Sequence, residues 1–314
     1  MRQIPIYLIT GFLEAGKTTF LSDVLLGDSF ADGQKALLIL CEEGEVEYDE
    51  KELAKMNITA VTVDEQEEFD VNYLRSCVKR YRPKRIFVEM NGMWDCKWMF
   101  GEELPIDMAI AQVITIVDGS TFSVYLNNMR SILSNLFQFT EMAIFNRCTP
   151  DMDLLSWRRT VRGLNPRAMV YFEDEDGNPI DPGKDVPPFD FNADVIEVSD
   201  MDYGLWYLDA FESKDRYDGK KVRFRAKIMK SMRLPSGVFI PGRNVMTCCA
   251  EDIRFVGYLC KANFASALKS RQWVWLTAEI RYEYQKEYGE EGPVLYGVSY
   301  ELTGAPEEDT VYFN

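Results

Sequence analysis

The chain has 314 residues; 35 are Lys or Arg, 51 are Asp or Glu and none is His, so the formal net charge is −16. This length exceeds the usual span of one hydrophobic core and predicts two domains. The acidic balance argues against nucleic acid as the main partner, because binding to a phosphate backbone depends on a basic surface. The lack of histidine excludes Ser-His and Cys-His catalysis and every imidazole metal ligand.

No apolar run approaches the roughly 20 residues that cross a bilayer, and the N-terminus lacks the pattern of a secretory signal. We therefore expect a cytoplasmic protein whose seven cysteines are thiols. No two of them have C-x-x-C spacing, so the common zinc-knuckle patterns are absent from the sequence.

The first half of the chain alternates apolar, β-branched runs with helical patterns. The runs are Ile4–Thr10, Ala36–Cys41, Ile58–Val63, Arg85–Met90, Gln112–Val117, Met142–Phe145 and Ala168–Phe172. The helical patterns include Thr18–Leu26, Glu67–Tyr81, Ser120–Gln138 and Met152–Gly163. Continuous apolar strands separated by helices predict a mainly parallel sheet covered on both faces. We expect an α/β domain over residues 1–180.

The composition changes in residues 173–202, which gather acids, glycines and four prolines without periodicity. We interpret residues 181–205 as an irregular connection. Beyond it lie β-type runs, namely Lys221–Met229, Val238–Ile240, Asn244–Cys249, Arg254–Cys260, Trp273–Tyr284 and Val294–Leu302, with one short helical pattern at Ala262–Lys269. Short strands around one helix predict a small all-β OB-like barrel over residues 206–314.

Aromatic residues alternate along the fifth of these runs at Trp273, Trp275, Tyr282 and Tyr284. One set of them is expected to fill the barrel, whereas the alternative is a base-stacking platform of the kind found in nucleic-acid-binding OB folds. The net charge of −16 favours the core interpretation.

The segment Gly11-Phe12-Leu13-Glu14-Ala15-Gly16-Lys17-Thr18 fits G-x-x-x-x-G-K-[ST] and lies between an apolar strand and a helical pattern. In such a loop the glycines allow the backbone N–H groups to point at phosphate oxygens, and the helix adds its positive end. Lys17 is expected to reach the β- and γ-phosphates, and the Thr18 hydroxyl to ligate Mg²⁺. The neighbouring loop residues, Glu14, Ala15 and Thr19, are expected to be further nucleotide contacts.

Two acidic positions follow later strands. Glu89 lies at the end of an apolar run, so a parallel strand would place it at the carboxyl edge of the sheet. There it could bind Mg²⁺ or a water of the ion. The alternative is a solvated acid at a strand end. Glu42 opens the patch Cys41-Glu42-Glu43-Gly44-Glu45-Val46-Glu47. This patch is either a switch loop with a second carboxylate or a charged surface turn.

Together these segments resemble the CobW/HypB/UreG family of P-loop GTPases, particularly its CobW-like branch of metallochaperones. The matching segments are GFLEAGKTTFLSDVL, CEEGEVEYDE for the N-E-x-G-E-V switch, VEMNG for the E-x-x-G motif, ITIVDGSTF and GLNPRAMVYF. The resemblance covers roughly residues 5–172. It implies Mg²⁺-dependent binding and hydrolysis of GTP, with Lys17, Thr18, Glu42 and Glu89 as catalytic residues.

The sequence departs from the family pattern in three places. The base-reading N-K-x-D reads Asn146-Arg147-Cys148-Thr149, so the carboxylate that accepts hydrogen bonds from guanine is absent; Asn146 and Arg147 remain as base contacts. Poor guanine discrimination is the expected result, and ATP is an alternative to GTP. The C-x-C-C metal motif and the histidine-rich tail are also missing, and Cys41 stands where the family has Asn.

Residues 207–313 resemble a little-characterised OB-like bacterial domain that is associated with predicted permeases and marked by a C-C-A-x-D segment. This resemblance makes Cys248, Cys249 and Asp252 candidate ligands for Zn or Co, with Glu251 or Cys260 as helpers. Adjacent strand residues face opposite sides, so two neighbouring cysteines share an ion only at a bulge or turn. Burial as small apolar side chains is the alternative.

Two functional hypotheses remain open. In the first, the protein is a metallochaperone-like GTPase whose partner is a metalloprotein client. In the second, it binds nucleotide weakly or not at all and is a regulatory or scaffold partner of a membrane permease. Neither hypothesis involves nucleic acid or membrane insertion, and an oligomer is compatible with both.

Overall fold

The structure is a computed structural model that describes residues 3–27, 33–42, 44, 46–101, 103–183, 187–231, 234–246, 253–285 and 289–313. The chain forms two compact units. The first comprises residues 1–154 and 167–182, and the second comprises residues 155–166 and 183–314. Residues 155–166, which the sequence analysis assigns to the first domain, pack within the second unit. The proposed domain bounds themselves stay a prediction.

The first unit is built on a parallel sheet, which in the described residues has seven strands in the order β3-β2-β4-β1-β5-β6-β7. The strands are β1 Ile4–Thr10, β2 Ala36–Leu40, β3 Ile58–Thr62, β4 Arg85–Glu89, β5 Met108–Asp118, β6 Met142–Asn146 and β7 Met169–Phe172. The helices of this unit are α1 Lys17–Leu26, α2 Glu50–Lys55, α3 Val71–Tyr81, α4 Gly119–Asn128 and α5 Arg130–Phe137. Helix α6, Leu154–Leu164, follows β6 in the chain but belongs to the second unit except for its first residue. Short 3-10 turns lie at Gln66–Glu68 and Lys97–Phe100.

Alternate residues of the central strands supply two separate cores. On β1, Ile6 and Leu8 pack in one apolar cluster with Leu74 of α3. Ile9 of the same strand packs in the opposite cluster with Leu21 of α1. Because successive strand residues point to opposite faces, helices cover both faces. The α/β prediction is confirmed.

Three aspartates begin helices in this unit by accepting backbone hydrogen bonds. Asp49 accepts from Lys51 N at 2.8 Å before α2, and Asp70 accepts from Tyr73 N at 2.8 Å before α3. Asp118 accepts from Ser120 N at 2.8 Å before α4. A side-chain oxygen at this position satisfies an N–H group that has no partner within the helix. Helix α2 was not predicted, and the long pattern Ser120–Gln138 is two helices, α4 and α5.

The second unit carries an all-β sheet. Its strands are β8 Ile196–Glu197, β9 Lys221–Met229, β10 Val238–Met246, β11 Arg254–Gly257, β12 Cys260–Lys261, β13 Trp273–Gln285, β14 Glu290–Leu302 and β15 Thr310–Tyr312. Two helices precede β9, namely α7 Tyr203–Glu212 and α8 Lys214–Tyr217, and a 3-10 turn lies at Ala265–Ala267. Pairing runs β10-β12-β14-β13-β9, and β9 pairs again with β10. In the described residues this closes a five-stranded barrel, with β12 parallel to β14, and confirms the OB-like prediction.

The barrel core is filled by the even-numbered residues of β13. Val274, Leu276, Ala278 and Ile280 are all fully buried. Tyr282 packs against the same core, whereas Tyr284 is 69% exposed. Alternate apolar residues of β13 therefore fill the barrel, and of the four aromatic residues only Tyr282 packs against this core in the described residues.

Trp273 and Trp275 lie on the outer face of the barrel under cationic side chains. The Arg223 and Arg225 guanidiniums each lie 4.8 Å from the Trp275 ring centre. Arg243 lies 5.2 Å from the Trp273 ring centre. Such contacts stabilise both partners through the negative face of the ring.

A buried charge network crosses this face. Arg243 is fully buried and donates to Asp200 Oδ1 at 2.5 Å and to Glu308 O at 2.9 Å. Arg225 lies 3.6 Å from Asp200 Oδ2. The network fastens the segment before α7 and the segment before β15 to the barrel.

We expect Asp200→Asn to lower the free energy of unfolding by roughly 1–3 kcal/mol, because it leaves the buried Arg243 guanidinium without its carboxylate. The lower part of that range is expected because the Asp200 side chain is 32% exposed. Urea titration followed by tryptophan fluorescence measures the loss. The control is Glu279→Gln, which breaks a pair with the half-exposed Arg281 and should cost below about 1 kcal/mol. Equal losses in the two variants would contradict the buried network.

Candidate functional site

The phosphate loop joins β1 to α1, and two glycines set its shape. Gly11 has φ 143°, and a Cβ there would lie 2.2 Å from Ile116 O of β5. Gly16 has φ 97° immediately before α1. Only glycine adopts such conformations without strain, and the tight contact with β5 leaves no space for a side chain at position 11.

Lys17 is the first residue of α1 and is only 3% exposed. Its ammonium donates to Gly11 O at 2.9 Å and to Phe12 O at 2.8 Å, and it forms an ion pair with Glu42. An ammonium has three donors, so all three are satisfied within the protein. Burial raises the pKa of Glu42, and Lys17 opposes that shift. The Glu42 carboxylate therefore pairs with the Lys17 ammonium, which the sequence motif predicts to bind a phosphate.

Glu89 is held by residues on either side of it at the carboxyl end of β4. Thr18 Oγ1 donates to Glu89 Oε1 at 2.6 Å. Tyr48 OH donates to Glu89 Oε2 at 2.5 Å. Burial, followed by the Glu89 charge, raises the pKa of Tyr48 well above its usual range. The tyrosine is therefore a fixed donor, and it keeps the carboxylate beside the Thr18 hydroxyl.

The residues predicted to contact the base also support the phosphate loop. Asn146 Nδ2 donates to Ala15 O at 2.7 Å. Arg147 donates to Glu14 O at 3.1 Å and to Asp118 Oδ2 at 2.5 Å. The segment at the end of β6, which is distant in sequence, thus holds the phosphate loop through two of the loop's carbonyl groups.

These residues surround one open cavity of about 430 Å³. The predicted site residues that line it are Glu14, Gly16, Lys17, Thr18, Thr19, Glu42, Glu89 and Arg147. The other predicted contacts, Gly11, Ala15 and Asn146, do not line the cavity but support the loop behind it. The lining combines a cation, hydroxyls and carboxylates, which suits a phosphorylated ligand together with a hard metal ion.

The model of the CobW/HypB/UreG nucleotide-binding domain matches residues 5–171, which is more than half of the chain. The chain belongs to the CobW/HypB/UreG family. The resemblance seen in the sequence is thereby confirmed, and the cavity lies in the family's nucleotide-binding domain. Residues 184–313 match the DUF1980 C-terminal domain. No curated protein matches this chain.

Solved structures of low identity also match this CobW/HypB/UreG member. The Zn(II)-bound YjiA GTPase from E. coli is 18% identical, with 77% of this chain and 86% of that chain covered and a TM-score of 0.43. HypB from Archaeoglobus fulgidus is 12% identical over 55% and 82% of the chains, with a TM-score of 0.39. HypB from Helicobacter pylori in complex with nickel is 13% identical over 57% and 80%, with a TM-score of 0.35. At these identities and TM-scores the likenesses carry no functional inference.

Two residues of the site escaped the sequence analysis. Asp118 pairs with Arg147 and lines the cavity. Its signal is its position at the end of the apolar run ITIVD, as Glu89 ends IFVE. Tyr48 lies inside the quoted switch segment, but nothing in the pattern predicts that its hydroxyl bonds Glu89.

The proposed transition-metal ligands Cys248, Cys249 and Asp252, together with Glu251, lie outside the described residues. Cys260, a proposed helper, is fully buried in the barrel core, and burial raises the pKa of its thiol to about 12. Such a thiol is protonated and is not a ready metal ligand. Among the described residues, no group of three or more Cys, Asp or Glu side chains is arranged to hold a metal ion. None of the helices in the described ranges is long and apolar enough to cross a membrane.

Burial likewise raises the pKa of Cys41 far above its usual range, and the charges of Glu42 and Glu89 add to the shift. Cys41 packs in an apolar cluster with residues of β1 and α3. The thiol beside the switch is therefore a core side chain in this structure.

Because Lys17 is paired with Glu42, a phosphate that bound at Lys17 would have to displace the carboxylate. We expect Glu42→Gln to tighten the binding of a non-hydrolysable GTP analogue roughly 10-fold, which corresponds to about 1.4 kcal/mol. Calorimetric titration at constant Mg²⁺ measures the change, and Glu50→Gln on exposed α2 is the control. Unchanged or weaker binding by Glu42→Gln would show that the carboxylate does not compete.

Proposed function

We propose that the first unit binds a nucleoside triphosphate with Mg²⁺, with GTP ahead of ATP, and hydrolyses it in a metallochaperone-like cycle of metal homeostasis. The observation that carries the proposal is the convergence of Lys17, Thr18 and Glu89 on one open cavity in a CobW/HypB/UreG nucleotide-binding domain. Packing alone does not require a buried lysine that faces two loop carbonyls.

The residues present fit a magnesium ion. The Thr18 hydroxyl and a Glu89 carboxylate oxygen lie 2.6 Å apart, and both are the hard oxygen donors that Mg²⁺ prefers. These two residues would hold the ion or its water. When bound, Mg²⁺ neutralises charge on the phosphate oxygens.

The protein's own groups account for binding and positioning. Lys17 exchanges Glu42 for a phosphate oxygen and keeps its two carbonyl partners, so the ammonium stays oriented. The N-terminal end of α1 and the loop N–H groups add donors for the same phosphates. Glu42, once released, carries its charge away from the phosphate, and this movement is the switch event that we propose.

Removal of Lys17 tests the phosphate site. Lys17→Ala should weaken the binding of Mg²⁺-GTP at least 100-fold, because it deletes a charged donor worth roughly 1.5–3 kcal/mol per hydrogen bond. Calorimetric titration with GTP, GDP, ATP and ADP, each with and without Mg²⁺, gives the affinities. The control is Lys55→Ala on the exposed surface of α2. Wild-type affinity or turnover in Lys17→Ala would overturn the proposal.

The alternative is a non-catalytic regulatory or scaffold partner of a membrane permease. It is favoured by Thr149, which stands where the family carries its base-reading carboxylate. Wild-type protein that binds none of the four nucleotides would move the assignment to this partner. The permease, the metalloprotein client and the cytoplasmic location all stay predictions.

We also propose that the second unit binds Zn or Co through Cys248, Cys249 and Asp252. The C-C-A-x-D segment supports the proposal. The double variant Cys248→Ser, Cys249→Ser should lose at least nine-tenths of the bound Zn or Co in equilibrium dialysis, because thiolates are the strongest ligands in the set. Cys77→Ser, which changes a core thiol of the first unit, is the control. Full metal retention by the double variant would rule out the cysteine pair.

A further inference from the structure

The residue that would distinguish guanine from adenine is missing from the segment after β6. Guanine presents two adjacent N–H donors on one edge, and a single carboxylate can accept both. The segment Asn146-Arg147-Cys148-Thr149 offers a hydroxyl at that position. The next acid in this segment, Asp151, is exposed and is engaged by a side-chain hydrogen bond with Thr149. An acid that reads guanine therefore has to come from another element.

The register of the sheet brings one such acid to this edge. Asp118 of β5 pairs with Asn146 of β6, and Phe145 pairs with Phe172 of β7. Glu173 N donates to Phe145 O at 2.8 Å, and Cys148 N donates to Glu173 O at 2.9 Å. Glu173, the first residue after β7, therefore lies opposite Asn146.

Residues that pair across neighbouring strands point to the same face of a sheet. The side chain of Asn146 reaches Ala15 O, so this face is the one that carries the phosphate loop. Asp118, Asn146 and Glu173 thus form one row on that face at the carboxyl edge, where open α/β sheets bind their ligands.

The two carboxylates that flank Glu173 at this edge are already engaged. Asp118 accepts from Arg147 and from the Ser120 backbone and hydroxyl. Asp174 closes its own turn by accepting from Asn178 N at 2.8 Å. Within the part of the chain that the structure describes, the Glu173 carboxylate makes no ion pair and no side-chain hydrogen bond. It is half-buried, and burial raises its pKa, with Asp174 adding to the shift.

We propose that Glu173 is the specificity-determining residue of the nucleotide site and accepts the N1–H and 2-amino hydrogens of guanine in place of the missing acid. This inference rests on the proposed function, since it names the base that the same site selects. It predicts GTP preference even though the usual base-reading motif is incomplete.

Glu173→Gln tests the inference with diphosphates, which avoid hydrolysis. Relative to wild type, the variant should bind GDP at least 10-fold more weakly, XDP at least 10-fold more tightly and ADP equally. An amide supplies a donor for the C2 carbonyl of xanthine, whereas a structural defect would weaken all three ligands together. Glu175→Gln, two residues along on an exposed position, is the control.

Two further variants test whether the carboxylate itself determines the base preference. Glu173→Asp keeps the charge and should not gain XDP affinity. Adding Thr149→Asp to Glu173→Gln restores an acid to the segment after β6 and should recover the preference for GDP over ADP.

The outcomes separate this inference from the proposed function. An unchanged GDP to XDP ratio in Glu173→Gln overturns the role of Glu173. Wild-type protein that binds GDP, XDP and ADP equally, and loses all three in Lys17→Ala, overturns it while the phosphate site stands. Wild-type protein that binds no nucleotide overturns both.

Discussion

The rest of the site depends on the ammonium of Lys17. A buried cation is costly unless each of its donors has a partner, and here the partners are two loop carbonyls and one carboxylate. The carbonyls belong to the loop that Gly11 folds against β5, so the cation and the loop stabilise each other. The third partner, Glu42, is the one that a phosphate oxygen can replace with little reorganisation. Ligand affinity is consequently tied to the position of the segment that carries Glu42.

That segment contacts the site at a second point. Tyr48 donates to Glu89, whose other oxygen accepts from Thr18. The Lys17 ammonium and the Glu89 carboxylate are therefore both in contact with one stretch of chain, through Glu42 and Tyr48. A ligand that changes either contact alters the free energy of the same segment, which is the physical requirement for a switch.

Much of the fold could be predicted because its determinants are local. Continuous apolar runs identify the central strands, and the even-numbered pattern of β13 identifies a barrel wall. The predictions fail where the local structure is determined by contacts with distant parts of the chain. Strand β10 was predicted as two runs because Pro241-Gly242-Arg243 interrupts the apolar pattern, yet it is continuous: a Cβ at Gly242 would lie 2.2 Å from Val256 O of β11. Arg243, a charged residue in the middle of this strand, is fully buried because Asp200 and Glu308 O satisfy it from distant parts of the chain.

The same distinction applies to the site. The phosphate loop is a contiguous motif that can be recognised in the sequence. The acids at the carboxyl edge, by contrast, come from separate strands that the register of the sheet brings together. Parallel pairing delivers Glu89, Asp118 and Glu173 from three strands to one edge, although 29 residues separate the first two and 55 the last two by their numbering. Because any strand end along this edge can present a carboxylate, a base-reading acid can be lost from one loop and supplied by the neighbouring strand without a change of fold. A motif search that examines each loop separately would find the base-reading acid missing. The register of the sheet nevertheless places one unpaired acid, Glu173, in the same row as Asp118 and Asn146.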